Sequence, residues 1–568
     1  MPLMDILFND DLFNIIIKYL LNKNIKYLSD TCTELRKYKF KNIIILNKYY
    51  SKKYYYNVEF RKQVLEYMKI KKLKYIDYKL GLNLSKFNDI IYNLNIFDNI
   101  YYLNLSQCSN INNLQFLNKI HTVNLSSCNE LYDVSILSTI HNLDLSYCYN
   151  ITTISSLSNI HTLNLSYCSK ITDVSALKNV YNLNLYYCYR ITDVSALGNV
   201  HILNLSYCYN LVDVSALDKV YNLNLMGCYK VIDVSNLGRI NTLNLTGCNQ
   251  LINVSALKTV ENLNISYCYK ITDVNNLAYV KILNATGCEK NTHVNNLYNI
   301  YNLNLSYCYK ITDVSALGKI HILDLSNCYN IEDVSCLASV YNLNLSKCYK
   351  IRDVSTLGKV HILDLSECCN IMDVSSLGNV YNLNLSKCLN VRDFSVLKNV
   401  HILNVSSCSN IKDVSAFGNI YNLDLSECIN VKNISELNNV HILNLSSTKI
   451  KDVSALGNIH DLNLSYCYKI KDVSALGKVH TLKLIGCSRI TDVSALGTVQ
   501  YLNLRGCYNI TDVSALGSVY NLNLSCTNIT DVSMLGNVHT LNLYGCNNIL
   551  YTDNLDTVYK LILYKNKY

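Results

Sequence analysis

Val200-His201-Ile202-Leu203-Asn204-Leu205-Ser206-Tyr207-Cys208-Tyr209-Asn210-Leu211-Val212-Asp213-Val214-Ser215-Ala216-Leu217-Asp218-Lys219 is one of a long series of near-copies, and its reading decides the fold. Cysteine returns at every twentieth position from Cys108 to Cys428, and Thr448, Cys467, Cys487, Cys507, Thr527 and Cys546 continue the series to 23 units. Leu203 and Leu205 alternate with Ile202, Asn204 and Ser206, the pattern of a short strand that buries one face. Cys208, Leu211, Val214 and Leu217 then turn inward to fill the space behind it. One unit cannot bury these side chains alone, whereas a stack of units can.

About six residues, Val214 to Lys219, remain for the outer side, too few for an α-helix after the turns, so an extended or 3-10 path is predicted there. Aspartate stands just before the Ser-Ala-Leu group in most units, as at Asp173, Asp193, Asp313 and Asp512, where a carboxylate can accept from nearby backbone N–H groups and hold the turn. The units at Thr448 and Thr527 are one residue short, which predicts a tighter turn closed by the threonine hydroxyl.

The recurring LxLxxCxxITDVSAL resembles the leucine-rich repeat in its cysteine-containing variety, over roughly residues 100 to 560. The resemblance implies an α/β repeat solenoid, a leucine-rich-repeat horseshoe with one short parallel strand per unit and an extended or 3-10 convex side. The first 40 residues are of another kind. Leu12, Ile16, Tyr19 and Leu20, then Ile25, Leu28, Cys32 and Leu35, recur at spacings of three and four and predict short amphipathic helices. Phe8 to Leu20, followed by Asn24-Ile25, Leu28 and Thr31-Cys32, is similar to the F-box. That resemblance implies a Skp-type adaptor of a cullin-RING ubiquitin ligase as partner, with Leu12, Ile16, Leu20, Ile25 and Leu28 building the adaptor contact. Residues 41–99 read as a basic helical linker and N-terminal cap, with Leu94 and Ile96 as an atypical first strand; residues 561–568 read as a C-terminal tail or cap.

Composition agrees with domination by one repeated unit: 568 residues hold a single proline, no tryptophan and 48 tyrosines. No run of about 18 apolar residues is present, so no membrane span is expected. Asp5, Asp10 and Asp11 interrupt the first apolar stretch, which does not read as a secretory signal and leads to the expectation of an intracellular protein, cytoplasmic or nuclear. The positive charge is local: residues 1–100 carry 18 Lys and Arg against 10 Asp and Glu, the remainder 33 against 32. A neutral solenoid lacks the cations that phosphate binding requires, so nucleic acid is not expected as a partner.

Of the 25 cysteines, 21 share one repeat position, the spacing of a core ladder rather than of a zinc site or a disulfide framework. Eleven of twelve histidines share the position just before the strand, among them His441, His460 and His480, and read as a polar ladder. Between Tyr301 and His441 that position alternates tyrosine and histidine, the mark of a duplicated 40-residue pair. Serine and aspartate stand equally in nearly every unit, whereas a catalytic set breaks repetition; no enzyme, cofactor or metal is expected.

The residues between the leucines should line the concave face as a field of Asn, Ser and Tyr, a mixture suited to protein recognition. Candidate target contacts are Asn204, Tyr207, Asn304 and Tyr307, with Lys347, Glu367, Lys387 and Glu427 as a charged patch where the copies diverge. The expected function is a protein-binding adaptor, the substrate-recognition subunit of a Skp/cullin/F-box ubiquitin ligase, acting as a monomer. The alternative is a stand-alone scaffold or effector with no ubiquitin role.

Overall fold

A computed structural model describes residues 43–72, 79–87, 94–108, 114–549 and 551–563. The helical module expected over residues 1–40, with Leu12, Ile16, Leu20, Ile25 and Leu28, lies outside them, as do residues 564–568. The described chain falls into two units, residues 1–130 with 139–144, and residues 131–138 with 145–568.

The second unit is a leucine-rich-repeat stack. Twenty-one described strands, from Thr162–Asn164 to Lys560–Ile562, each pair in parallel with the next, one per coil. The register is strict: Ile202 stands opposite Asn222, Leu203 opposite Leu223 and Asn204 opposite Asn224. Because side chains alternate along a strand, that register puts every strand leucine on the same side. Behind the strand the apolar residues follow at intervals of three: Leu205, Cys208, Leu211, Val214, Leu217 and Val220 are each at most 1% exposed. A spacing of three suits a path with three residues per turn, and the outer side is 3-10 in most coils, as at Ser215–Leu217 and Ser195–Asn199. Leu217 N–H donates to Val214 O at 3.1 Å and Val220 N–H to Leu217 O at 3.2 Å. The Asp213 carboxylate accepts from Ser215 N–H at 2.8 Å, as the sequence predicts, and this bond holds the carboxyl below the usual carboxylate range.

The ladder cysteines fill their core slots, and most donate a weak S–H bond to the carbonyl of the second strand-side apolar residue of the preceding coil, as Cys228 does to Leu205 O at 3.2 Å and Cys288 to Ile265 O at 3.3 Å. Burial pushes the Cys228 thiol up to about 12, so it stays protonated at neutral pH. In the short units the threonine hydroxyl bends back instead, Thr448 Oγ1 and Thr527 Oγ1 each donating to Leu445 O and Leu524 O at 2.7 Å.

The first unit holds β1 (Ile43–Leu46), α1 (Lys48–Tyr56), α2 (Val58–Lys72), β2 (Lys79–Asn83), β3 (Ile100–Asn104), β4 (Thr122–Asn124) and β5 (Asn142–Asp144). Asn57 ends α1 and, through its side chain, caps Phe60 N–H at 2.8 Å to start α2. Buried Ser51 ties α1 to both neighbouring strands, donating to Leu46 O and accepting from Asn83 N–H, both at 2.8 Å. The stretch read as a basic helical linker and N-terminal cap thus holds two strands besides its helices, at Ile43–Leu46 and Lys79–Asn83. One of these, β2, belongs to a coil of the repeat type in which Phe87 takes the cysteine slot and Lys86 has the left-handed φ of 57° that marks that turn. The strand expected at Leu94 and Ile96 is a 3-10 turn, Leu94–Phe97, on the outer side of that coil. Phe97 is buried there and stacks on Phe116 with centroids 4.7 Å apart.

Candidate functional site

The strand face of the second unit is built from four recurring positions: the residue before the strand, the residue between the two leucines, and two positions in the turn that follows. Their chemistry differs more than the alternation of residues suggests.

Between the leucines, the asparagine side chain is occupied by the fold. Asn204 Oδ1 accepts from Ser206 N–H at 3.0 Å, while Asn204 Nδ2 donates across the strands to Asn184 Oδ1 at 3.0 Å. Asn304 Oδ1 accepts from Ser306 N–H at 2.9 Å and from Thr286 Oγ1 at 2.9 Å. Where aspartate replaces asparagine, as at Asp364 and Asp424, it accepts from the amides of Asn384 at 2.9 Å and Asn444 at 3.0 Å. These bonds end each strand and tie it to its neighbour, the local side-chain-to-backbone pattern of an Asx turn.

The turn position of Tyr207 has a property the sequence reading missed. Its backbone is left-handed in coil after coil: φ is 60° at Tyr207, 62° at Tyr307, Lys347 and Glu367, 59° at Lys387 and 60° at Glu427. The twist lets the residue's N–H continue the ladder, Tyr207 to Met226 O at 2.7 Å and Lys347 to Ser366 O at 2.8 Å, while Cys208 N–H closes the turn on Leu205 O at 3.1 Å. The signal was present in the same column, where glycine stands at Gly227, Gly247, Gly287, Gly486, Gly506 and Gly545 and no β-branched residue occurs from position 107 onward. Three of those glycines also make room for a ring: a Cβ on Gly227, Gly287 or Gly486 would come within 2.7, 2.8 or 2.9 Å of Tyr207, Tyr267 or Tyr466.

Within the charged patch two of the four residues pair with each other, and a third bonds to a neighbouring serine. Lys387 Nζ lies 3.1 Å from Glu367 Oε1, and Glu427 Oε2 accepts from Ser407 Oγ at 2.7 Å. All four residues share the left-handed turn column, with Lys387 and Glu427 exposed and Lys347 and Glu367 half-buried. Such exposed pairs contribute little to stability, which leaves their charges free for a competing partner.

Before the strand, the tyrosines and histidines form a column of stacked rings. Tyr301, His321, Tyr341, His361, Tyr381, His401, Tyr421, His441, His460 and His480 follow one another with centroids 4.5 to 4.9 Å apart. Planes deviate by 5° at His401–Tyr421 and by at most 22° elsewhere in the column, at His441–His460. The sheet spacing imposes this stacking, because one strand step equals one ring repeat. Tyr301, Tyr341, Tyr381 and Tyr421 remain 42 to 49% exposed at its edge. Asn241, Glu261 and Lys281 stand at the same position in earlier coils and link by side chains instead, at 2.7 Å and 3.2 Å. A second, shorter column of tyrosines follows the cysteine: Tyr309, Tyr329 and Tyr349 stack at 5.1 and 5.3 Å.

No protein-family model matches the chain, and no curated protein matches it. Among solved structures it is similar to an internalin from Listeria monocytogenes str. 4b F2365, at 20% identity over 61% of this chain and 84% of that one, with a TM-score of 0.31. It is also similar to the functional domain of InlJ from Listeria monocytogenes, described as including a cysteine ladder, at 17% identity over 65% of this chain and 70% of that one, with a TM-score of 0.28.

Proposed function

We propose that the chain is a non-enzymatic scaffold whose strand face holds a protein partner, with the ring column and the charged turn residues making the contact. The observation that carries this reading is the column from Tyr301 to His480. It offers aromatic area already fixed in place, with tyrosine edges exposed, so a partner can bury apolar surface with little loss of side-chain freedom. Partner capture with the full chain, followed by affinity measurement on the purified pair, tests it. Tyr341→Ala with Tyr381→Ala, or Lys347→Glu with Lys387→Glu, should weaken binding at least about tenfold, a loss of about 1.4 kcal/mol. Lys258→Glu, on an outer turn, should leave it unchanged. The reverse pattern would move the contact to the outer side.

The finer reading, an adaptor of a cullin-RING ubiquitin ligase, is supported by the likeness of residues 8–32 to the F-box. Co-purification of the full chain with a Skp-type adaptor, lost on Leu12→Asp and Ile16→Asp, would sustain it; no association by the intact chain leaves the stand-alone scaffold. A reducing, intracellular location is part of this proposal, in keeping with the free thiols of the ladder.

A further inference from the structure

The ring column changes character at one place. From Tyr301 to Tyr421 each imidazole stands between phenol rings, but His441, His460 and His480 then stack directly, with centroids 4.7 and 4.5 Å apart. The residue after a column histidine is Asn, Ile or Thr in every other unit; after His460 it is Asp461. Asp461 Oδ1 lies 3.3 Å from His460 Nδ1. One nitrogen of His460, one of His480 and a carboxylate oxygen of Asp461 all lie within 4.8 Å of one another, the one such trio among the described residues. The longest run of adjacent histidines and the single carboxylate of its column position thus coincide.

We propose that His460, Asp461 and His480 form a surface site for a divalent transition metal of the zinc class. Two imidazole nitrogens and one carboxylate oxygen are a donor set that zinc, cobalt, nickel and copper accept, whereas calcium and magnesium call for oxygen ligands throughout. Metal–ligand bonds of about 2.0–2.2 Å need donors about 3.3 Å apart, so the trio has only to contract. The backbone already holds the two strands in fixed register, Asp461 opposite Thr481, and the side chains are exposed or half-buried, so an ion can reach them from solvent. Three protein donors leave coordination open toward solvent, where a water or a donor from a bound partner completes the shell. The nearby ladder thiols, Cys467 and Cys487, are buried in the core and take no part.

Titration of the full chain with cobalt(II), followed by absorption and calorimetry, tests the site. The expected result is one equivalent per chain with the visible bands of nitrogen and oxygen coordination and no thiolate-to-cobalt charge-transfer band. Asp461→Asn and His480→Ala should each weaken binding at least about tenfold. His401→Ala, which removes an imidazole held between two tyrosines of the same column, should leave it unchanged. Circular dichroism checks that each variant keeps the wild-type fold, as expected for surface side chains. Absence of binding by the folded wild-type chain, binding that survives both Asp461→Asn and His480→Ala, or a thiolate signature would each overturn the proposal.

Discussion

Gly227 and Gly247 occupy the same place in successive coils and share a φ of +71°, yet a methyl group added to each meets different surroundings. At Gly227 it would sit 2.7 Å from Tyr207 Cδ1 and 2.9 Å from Cε1, because that ring lies across the glycine. At Gly247, which follows Gly227 in the column, nothing stands within 4 Å. Alanine in the left-handed region costs about 1–2 kcal/mol, offset in part by the restraint that alanine places on the unfolded chain, so about 1 kcal/mol remains at either site. At Gly227 the Tyr207 ring must also leave its rotamer, adding about 1 kcal/mol. A long stack does not unfold as one two-state body, so the measurement is native-state hydrogen exchange over peptides spanning residues 216–260. Gly227→Ala should lower protection about thirtyfold and Gly247→Ala about fivefold. In a Tyr207→Ser background, Gly227→Ala should fall to the smaller cost, the difference being the coupling between ring and methyl. Equal effects of the two single substitutions would refute the ring contact, and no effect at either would refute the argument from backbone handedness.

Asn291 takes the place of a core isoleucine, is fully buried, and neither Nδ2 nor Oδ1 has a hydrogen-bond partner; Asn291→Ile should stabilise the coil by about 1–3 kcal/mol, read as increased exchange protection over residues 282–297, and unchanged or lower protection would refute it. In the native protein iodoacetamide should label, among the described residues, only Cys336, Cys369 and Cys526, the three cysteines that are not fully buried, with Cys336 slow because burial raises its thiol as well; a peptide map showing rapid labelling of Cys228 or Cys408, whose thiols burial pushes up to about 12 and about 11, would place the ladder outside the core. The turn carboxylates, Asp213 among them, are held below their ordinary value by the Ser N–H they accept, so the folded chain binds their protons less readily than the unfolded one. Their stabilisation is therefore present above the unfolded carboxylate range and is lost as pH falls through the lower folded value. Asn253 and Asn433 make the same bond with an amide, at 2.9 and 3.1 Å, so Asp213→Asn should keep the turn and flatten the acid dependence of exchange at Ser215; an unaltered pH profile would count against the bond.

The stack was legible because its requirement is periodic. Leucine, cysteine, isoleucine and valine return at fixed places, and only burial against the next coil explains that. The turn aspartate and the threonine of the short coils were legible too, since each has one obvious local acceptor or donor role. What escaped was set by geometry between coils rather than by any one unit. The ladder of histidines before the strand was legible, but not that its tyrosines and histidines stack ring on ring, which follows from strand spacing. Residues 94–97 read as a strand because Leu94 and Ile96 alternate, but Phe97 decides their place by packing on Phe116. The coil at β2 escaped because a count keyed to cysteine passes over Phe87. The left-handed turn was hidden by its tolerance, since tyrosine, lysine, glutamate and glycine look unrelated until the backbone shows what they share.

That tolerance bears on where a partner can be specified. Asn204 cannot vary freely: removing its side chain leaves Ser206 N–H without its acceptor and breaks the link to Asn184, a loss of about 1 kcal/mol or more. Tyr207, Tyr307, Lys347, Glu367, Lys387 and Glu427 stand under a looser rule. Their left-handed backbone disfavours β-branched residues but leaves size and charge open, because the fold uses their N–H and not their side chains. Glutamate for Lys347 should therefore change what the face attracts without changing how the coils stack, whereas alanine for Asn204 should do the opposite. The divergence of copies at the turn column, beside near-uniform asparagine two residues into the strand, is what such a division of labour would leave in the sequence.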